Sequence, residues 1–107
     1  MSVITIRPAP PAPAPDIISD RQFFQQLAII GVISQQEALA AVATGAIPAA
    51  MAALVEQLPD EQQFPTRMLI SGATVFERSH PVAALIGGLY GWTSPQVDAL
   101  WRDASAL

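Results

Sequence analysis

The sequence predicts an all-α fold: a compact irregular bundle of about five to six short helices, preceded by an extended Pro-rich N-terminal arm. Three observations support this prediction. Capping boxes mark several helix starts, because a Ser or Thr is followed three residues later by Gln or Glu. Glycine or proline follows most of the apolar stretches, as at helix ends. Strand-like sequence is confined to residues 3–6, so we expect no strand elsewhere in the chain.

Residues 1–16 are predicted to form the arm, and residues 17–107 a single helical domain. Five of the ten prolines lie within residues 8–15. Because proline fixes φ and has no N–H, such a run adopts polyproline geometry and spans roughly 25 Å. Residues 3–6, Val-Ile-Thr-Ile, favour a strand but have no partner strand in this chain.

The strand-like tip is suited to pairing with a sheet edge of another subunit, with the prolines setting the distance. The alternative is a disordered tail. The predicted partner-binding residues are Val3, Ile4, Thr5, Ile6, Arg7, Pro8, Pro10, Pro11, Pro13 and Pro15.

Three predicted helices begin at capping boxes and are bounded by glycines. The boxes pair Ser19 with Gln22, Ser34 with Glu37, and Thr93 with Gln96. The corresponding helices cover residues 20 to about 30, residues 35 to about 44, and the C-terminal segment after residue 93. For the last of these, Ser94 is the alternative cap. Glycines are expected at three helix ends: Gly31 as a left-handed C-cap of the first helix, Gly45 at the end of the second, and Gly91 near the end of the fifth.

Prolines mark the starts of the remaining helices. Pro48 is placed in the first turn of a third helix that runs to about residue 57, and Pro81 begins a fifth. The sequence leaves two alternatives for the start of the fourth helix: the helix begins near Pro65, or a short turn precedes the helix. We expect this fourth helix to include Val75 and Phe76, whose spacing extends its apolar stripe.

Composition limits the possible functions. Apolar residues make up 51% of the chain and charged residues 13%, against about 25% charged in an average domain. Such a balance suggests that a partner covers part of the surface. The net charge is −4, and the five cations are scattered arginines, so we expect no nucleic-acid binding. The absence of cysteine excludes disulfides and thiolate chemistry.

Residues considered for catalysis, metal binding or an interface are better explained by structural roles. His80 is the only histidine, and it lies at a helix boundary without a nucleophile motif. Asp60 and Glu61 are typical of a helix start, since oxygen-based metal sites need more carboxylates. Trp92 and Trp101 are interpreted as a helix staple and a core residue rather than interface anchors. We therefore predict no catalytic residue, no cofactor and no metal site.

Small residues in pairs are the last candidates. Ser71-Gly72 and Gly87-Gly88 lack the pattern of a phosphate-binding loop, and we interpret them as sites of close helix contact.

Two uncharged runs, residues 38–55 and 79–97, are compatible with a small holin-like membrane protein. Glycines and prolines interrupt both runs, however, so we expect no membrane insertion.

Several stretches of the domain resemble a family of phage-encoded proteins. They are residues 20–27 (DRQFFQQL), 31–34 (GVIS), 37–39 (EAL), 67–74 (RMLISGAT), 79–81 (SHP) and 91–93 (GWT). Over about residues 18–107, the chain is similar to small uncharacterised α-helical proteins from the tail and virion structural gene region of tailed phages and prophages of GC-rich proteobacteria. The resemblance implies a virion association and transfers no catalytic residue.

The arm and the resemblance together predict a non-enzymatic virion structural protein of the tail, baseplate or collar, made in the host cytoplasm. We expect several symmetric copies, each docked through its arm on other virion proteins. The alternatives are a cytoplasmic tail assembly chaperone or adaptor, and the holin-like membrane protein.

Overall fold

The computed structural model describes residues 14–107, in which six helices surround a short two-stranded sheet. This confirms the predicted fold class, which is all-α apart from that sheet. The elements in chain order are β1 (Ile17–Ser19), α1 (Asp20–Ile29), α2 (Gln35–Thr44), α3 (Ala49–Val55), α4 (Asp60–Gly72), β2 (Val75–Glu77), α5 (Pro81–Tyr90) and α6 (Ser94–Ser105).

All three predicted capping boxes are present with both reciprocal hydrogen bonds. For α1, the N–H of Gln22 donates to Ser19 Oγ at 3.1 Å, and the N–H of Ser19 donates to Gln22 Oε1 at 2.9 Å. At α6 the cap is Thr93 and not Ser94. These bonds satisfy backbone donors that a helix start otherwise leaves unpaired, so local sequence determines where these helices begin.

Left-handed glycines occur at all three expected positions, and Gly45 shows why one of them is needed. Its φ is +76°, a conformation that side-chain-bearing residues rarely adopt. A Cβ at this position would also lie 2.8 Å from the Ser71 carbonyl oxygen at the end of α4. Gly45 therefore ends α2 and lets the chain pass close to α4.

The two-stranded sheet corrects the expectation that strands are confined to residues 3–6. Strands β1 and β2 pair antiparallel. The register pairs Ile17 with Glu77, Ile18 with Phe76, and Ser19 with Val75. Helix α4 accordingly ends at Gly72, and the prediction that it includes Val75 and Phe76 was wrong.

The alternating burial of β2 explains this difference. Phe76 is buried, whereas Val75 and Glu77 on either side are exposed, as the period of two in a half-buried strand requires. The pairing with β1 comes from a distant part of the sequence, and a local apolar stripe does not reveal it.

Helices α3 and α4 differ in detail from the sequence prediction. Helix α3 is shorter than expected, with Pro48 at its cap position rather than inside its first turn. Helix α4 begins at Asp60 and contains Pro65 internally, which answers the question the sequence left open. Because Glu61 and Pro65 are both exposed, the carbonyl that loses its N–H partner lies on the solvent side of the helix.

Aromatic rings from α1, β2 and α6 form the centre of the core. Phe23 stacks on Phe76 with ring centroids 4.6 Å apart, and Phe24 meets both rings edge-on. The ring centroids of Trp101 and Phe23 are 5.6 Å apart, and the Trp101 indole N–H donates to the Phe76 carbonyl at 3.3 Å. The core thus connects the small sheet to the first and last helices.

Candidate partner-binding surfaces

The point where the arm joins the domain is held by hydrogen bonds. The Asp16 carbonyl accepts from the N–H of Arg78 at 2.6 Å, and its carboxylate Oδ1 accepts from the N–H of Ser79 at 3.0 Å. Ala14 packs against the core, and Pro15 is half-buried. The last residues of the predicted arm are therefore attached to the end of β2.

Arg78 extends this attachment to α6. Its Nε donates to Asp98 Oδ1 at 2.7 Å, and its Nη2 donates to the Ser94 hydroxyl at 3.0 Å and to the Ser94 carbonyl at 3.2 Å. The Arg78 side chain is only 18% exposed, so the ion pair is partly shielded from water. One guanidinium thus joins the end of β2 to the first turns of α6, next to Asp16. We refer to Asp16, Arg78 and Asp98 as the arm clamp.

Most of the partner-binding residues predicted from the sequence lie outside the described residues, and the structure does not place them. They are Val3, Ile4, Thr5, Ile6, Arg7, Pro8, Pro10, Pro11 and Pro13. Pro15 is the exception, and it lies at the domain surface beside the arm clamp.

The outer edge of β2 is open. Two hydrogen bonds fix which backbone groups face β1: from Arg78 N–H to the Asp16 carbonyl, and from Asp20 N–H to the Thr74 carbonyl. Because an antiparallel register alternates, Val75 and Glu77 direct their N–H and C=O groups away from β1. The Glu77 carbonyl accepts from the His80 N–H at 3.1 Å. Within residues 14–107, the N–H groups of Val75 and Glu77 and the Val75 carbonyl have no hydrogen-bond partner.

A small apolar pocket lies beside this edge. Its volume is about 170 Å³, and Phe76 and Trp101 line it from the core side. The remaining wall comes from α4, β2 and α5, and includes Leu69, Val82, Ala83 and Ile86. We refer to the outer edge of β2 and this pocket together as the β2 edge site.

A larger apolar groove lies between α1 and α2. Its volume is about 540 Å³. Leu39 is 70% exposed and Ile29 59% exposed on its walls, and Val42 is also exposed. Large apolar side chains concentrated in this way are typical of covered surfaces. Helix α4 presents a second apolar pair, Phe64 and Met68, one turn apart.

His80 has a structural role in the described fold. Its Nδ1 accepts a hydrogen bond from the N–H of Val82 at 3.1 Å, which caps the start of α5. Since Nδ1 is the acceptor, the capping form of the ring carries no proton on that nitrogen. This agrees with the interpretation of Ser79-His80-Pro81 as a helix boundary.

The other chemical candidates also have structural positions. Asp60 and Glu61 are exposed in the first turn of α4. Among residues 14–107, no group of three or more His, Asp or Glu side chains is arranged to hold a metal ion. A Cβ on Gly87 would lie 2.6 Å from Val97 Cγ2, so this glycine does permit close contact of α5 and α6. Gly72 and Gly88 have no such neighbour within 4 Å.

The aromatic residues near the C-terminus divide into two groups. Trp101 is buried in the core, as predicted. Trp92 is half-buried and stacks on Tyr90, with ring centroids 4.7 Å apart at 14°. The Tyr90 hydroxyl is buried and has no hydrogen-bond partner within the described residues. Burial, and secondarily the negative charge of Glu37, raise the pKa of Tyr90 above its ordinary value.

The pKa of the Glu37 carboxyl is lowered from its ordinary value. The main cause is the hydrogen bond from the Ser34 N–H to its carboxylate, 3.1 Å long. A second bond, from the Ala49 N–H at 2.9 Å, favours the charged form as well. Glu37 therefore both caps α2 and attaches the start of α3 to it.

Sequence reasoning did not find the β2 edge site or the α1–α2 groove. The groove had a signal, because Leu39 and Val42 lie one turn apart on a helix that already buries Ala38 and Ala41. The β2 edge had only the apolar pair Val75-Phe76, which was interpreted as part of a helix. Its partner strand lies far away in the sequence.

Comparison with known proteins gives no identification. No protein-family model, no curated protein and no solved structure matches the chain. Within the described residues, no single helix is long and apolar enough to cross a membrane. Helices α2 and α3 meet the length and composition requirements only as a pair, which is bent by 70°.

Proposed function

We propose that this protein is a non-enzymatic structural component of a phage particle, in the tail, baseplate or collar, and that its N-terminal arm docks it on neighbouring subunits. The arm clamp is the observation that supports this most directly. It attaches Asp16, the residue after the last proline of the arm, to the backbone at the end of β2, and Arg78 joins the same point to α6. The arm therefore leaves the domain from a defined position. The resemblance of residues 18–107 to phage structural-region proteins supports the choice of particle.

The mechanism is recognition at two levels. The sequence of the arm predicts an extended segment whose prolines set the distance between its tip and the domain, because they restrict φ. The helical domain then lies against its neighbours through apolar surfaces such as the α1–α2 groove, where Leu39 and Ile29 are exposed. Repeated copies in a symmetric particle place each arm next to the same neighbouring surface.

Deletion of residues 1–13 tests the role of the arm. This truncation keeps every described residue, including the arm clamp, so the domain is expected to fold with unchanged thermal stability. Purified particles assembled with the truncated protein are expected to lack it when analysed by mass spectrometry. A full-length Ser2→Ala variant is the matched control and is expected to be incorporated normally.

Three results would contradict the proposal. Incorporation of the truncated protein at normal copy number would exclude the arm as the anchor. Absence of the full-length protein from finished particles that need it for assembly would favour a cytoplasmic adaptor. Recovery of the protein in membrane fractions, with lysis on expression, would favour a membrane role.

A further inference from the structure

We propose that the β2 edge site is the receptor for residues 3–6 of a second copy of this chain, so that neighbouring copies are joined by exchanged arms. This inference rests on the proposed function, because it identifies the surface on which the arm docks. It adds three details to that function: the surface that receives the arm, the register of the strand pairing, and the identity of the partner, which is a second copy of this protein.

The edge offers backbone groups that an extended segment can use. Val75 directs both its N–H and its C=O outward, and Glu77 directs its N–H outward. An antiparallel segment opposite them forms two hydrogen bonds with Val75 and one with Glu77. Within residues 14–107, no hydrogen bond occupies these three groups.

The pocket selects an apolar side chain at one position. A residue opposite Phe76 lies on the core side of the sheet, whereas residues opposite Val75 and Glu77 lie on the solvent side. The pocket beside Phe76 has a volume of about 170 Å³. Apolar cavities of about 150 Å³ bind molecules as large as benzene, so there is room for one branched aliphatic side chain.

The Val-Ile-Thr-Ile tip of the arm has two branched aliphatic residues on one strand face, Ile4 and Ile6, and we place Ile4 opposite Phe76. In this register the Ile4 side chain enters the pocket, and Thr5 pairs with Val75 through two hydrogen bonds. The carbonyl of Val3 then accepts from the N–H of Glu77. The β-branched residues of the tip have high strand preference.

The length and stiffness of the arm favour a second copy over the tip's own domain. The other edge of β2 is already occupied by β1, and the arm clamp fixes where the arm leaves β1. Proline also restricts the residue before it to extended conformations, so the sequence of residues 8–15 predicts no tight turn. A polyproline run of this length is expected to span roughly 25 Å, whereas adjacent strands in a sheet are only about 4.8 Å apart. These expectations favour the β2 edge of a neighbouring copy as the surface on which the tip docks.

Self-association of the full chain is the first test. We expect the unmodified protein to form dimers or larger oligomers in sedimentation and light-scattering measurements. Ile4→Asp places a charge in the pocket, and Val75→Pro removes the outward N–H without removing a β1–β2 hydrogen bond. Each is expected to weaken association at least tenfold. Ile4→Val and Val75→Thr are the matched controls, which keep the branched side chain and the N–H and are expected to associate normally.

A cross-linking test is independent of how well the Val75→Pro variant folds. The chain has no cysteine, so single cysteines can be introduced cleanly. Directly opposite residues in a hydrogen-bonded antiparallel pair have Cα atoms about 5.5 Å apart, within disulfide range. Thr5→Cys mixed with a differently tagged Val75→Cys chain is expected to form the heterodisulfide on oxidation. Thr5→Cys mixed with Glu61→Cys, an exposed position on α4, is expected not to do so.

A monomeric chain at 100 μM, or equal cross-linking to residues 75 and 61, would overturn the inference. If such a chain still required its arm to join particles, the proposed function would stand, and the arm would bind a different protein. If the copies exchanged arms but were absent from particles, the proposed function would fail and the inference would stand.

Discussion

Adjacent glycines in α5 provide a matched test of how closely α5 approaches α6. Replacing glycine by alanine inside a helix normally stabilises it by about 0.8–1 kcal/mol. At Gly87, however, the new Cβ would lie 2.6 Å from Val97 Cγ2. Val97 is buried and β-branched, so it has little freedom to rotate away. Overpacking of this kind costs about 1–3 kcal/mol, and we expect Gly87→Ala to be destabilising overall.

Gly88→Ala is the control, because a Cβ there meets nothing within 4 Å. We expect this variant to gain up to about 1 kcal/mol, so the two variants should differ by the overpacking cost of about 1–3 kcal/mol. For a domain of this size, that difference separates their melting temperatures by about 4–24 °C. Circular dichroism melts and urea titrations measure both quantities.

The Val97→Ala background isolates the cause. This change removes the methyl group that Gly87→Ala would meet, so adding Gly87→Ala to it should restore the helix-propensity gain. The coupling between the two sites is expected to be favourable by about 1–2 kcal/mol. If Gly87→Ala and Gly88→Ala were equally stable, the close approach of α5 and α6 would be refuted.

Substitutions at three further residues test individual interactions. Glu37→Gln should reduce the free energy of unfolding above pH 4.5 and make that free energy less dependent on pH in acid. The reason is that folding lowers the pKa of the Glu37 carboxyl. The stabilisation by this carboxylate is complete above its unfolded-state pKa and is lost as the pH falls through its folded-state pKa. Steeper acid unfolding of this variant would contradict that assignment. Trp101→Phe should cost about 2–3 kcal/mol in urea unfolding, because it removes the indole bond to the Phe76 carbonyl and leaves a cavity in the core. An unchanged unfolding midpoint would show that this bond is not formed. His80→Ala should cost about 1 kcal/mol through the lost cap on the Val82 N–H, whereas His80→Asp should lose much less; a large loss in the aspartate variant would point to a role for the ring beyond capping.

The parts of the fold that local sequence determines were predictable. A capping box is complete within four residues, so Ser34 and Glu37 identify the start of α2 without knowledge of the rest of the chain. Left-handed glycines are local in the same way. The position of Pro65 relative to α4 was ambiguous in the sequence. The free-energy cost of a proline inside a helix depends on whether water reaches the carbonyl four residues earlier, and the tertiary structure determines this access.

The strand pair was not predictable from local patterns. Val75 and Phe76 fit the apolar stripe of α4 as well as they fit a strand, and only the pairing with Ile18 distinguishes the two. The candidate sites differ in the same way. The arm is a prediction from five prolines that are close together in the sequence, whereas the β2 edge site is formed by residues of α4, β2, α5 and α6 that meet only in the folded domain.

The arm clamp also determines how the molecule responds to mechanical load. A pull applied at Asp16 along β1 would load the hydrogen bonds between β1 and β2 in shear, because these bonds lie across the strands. A strand loaded in shear yields only when its bonds break together, whereas a strand peeled from one end loses them in turn. Ile18 and Phe76 connect the strand pair to the aromatic core, and Arg78 connects it to α6 through Asp98. Such a pull would therefore be resisted by the core and by α6 as well as by the two strands.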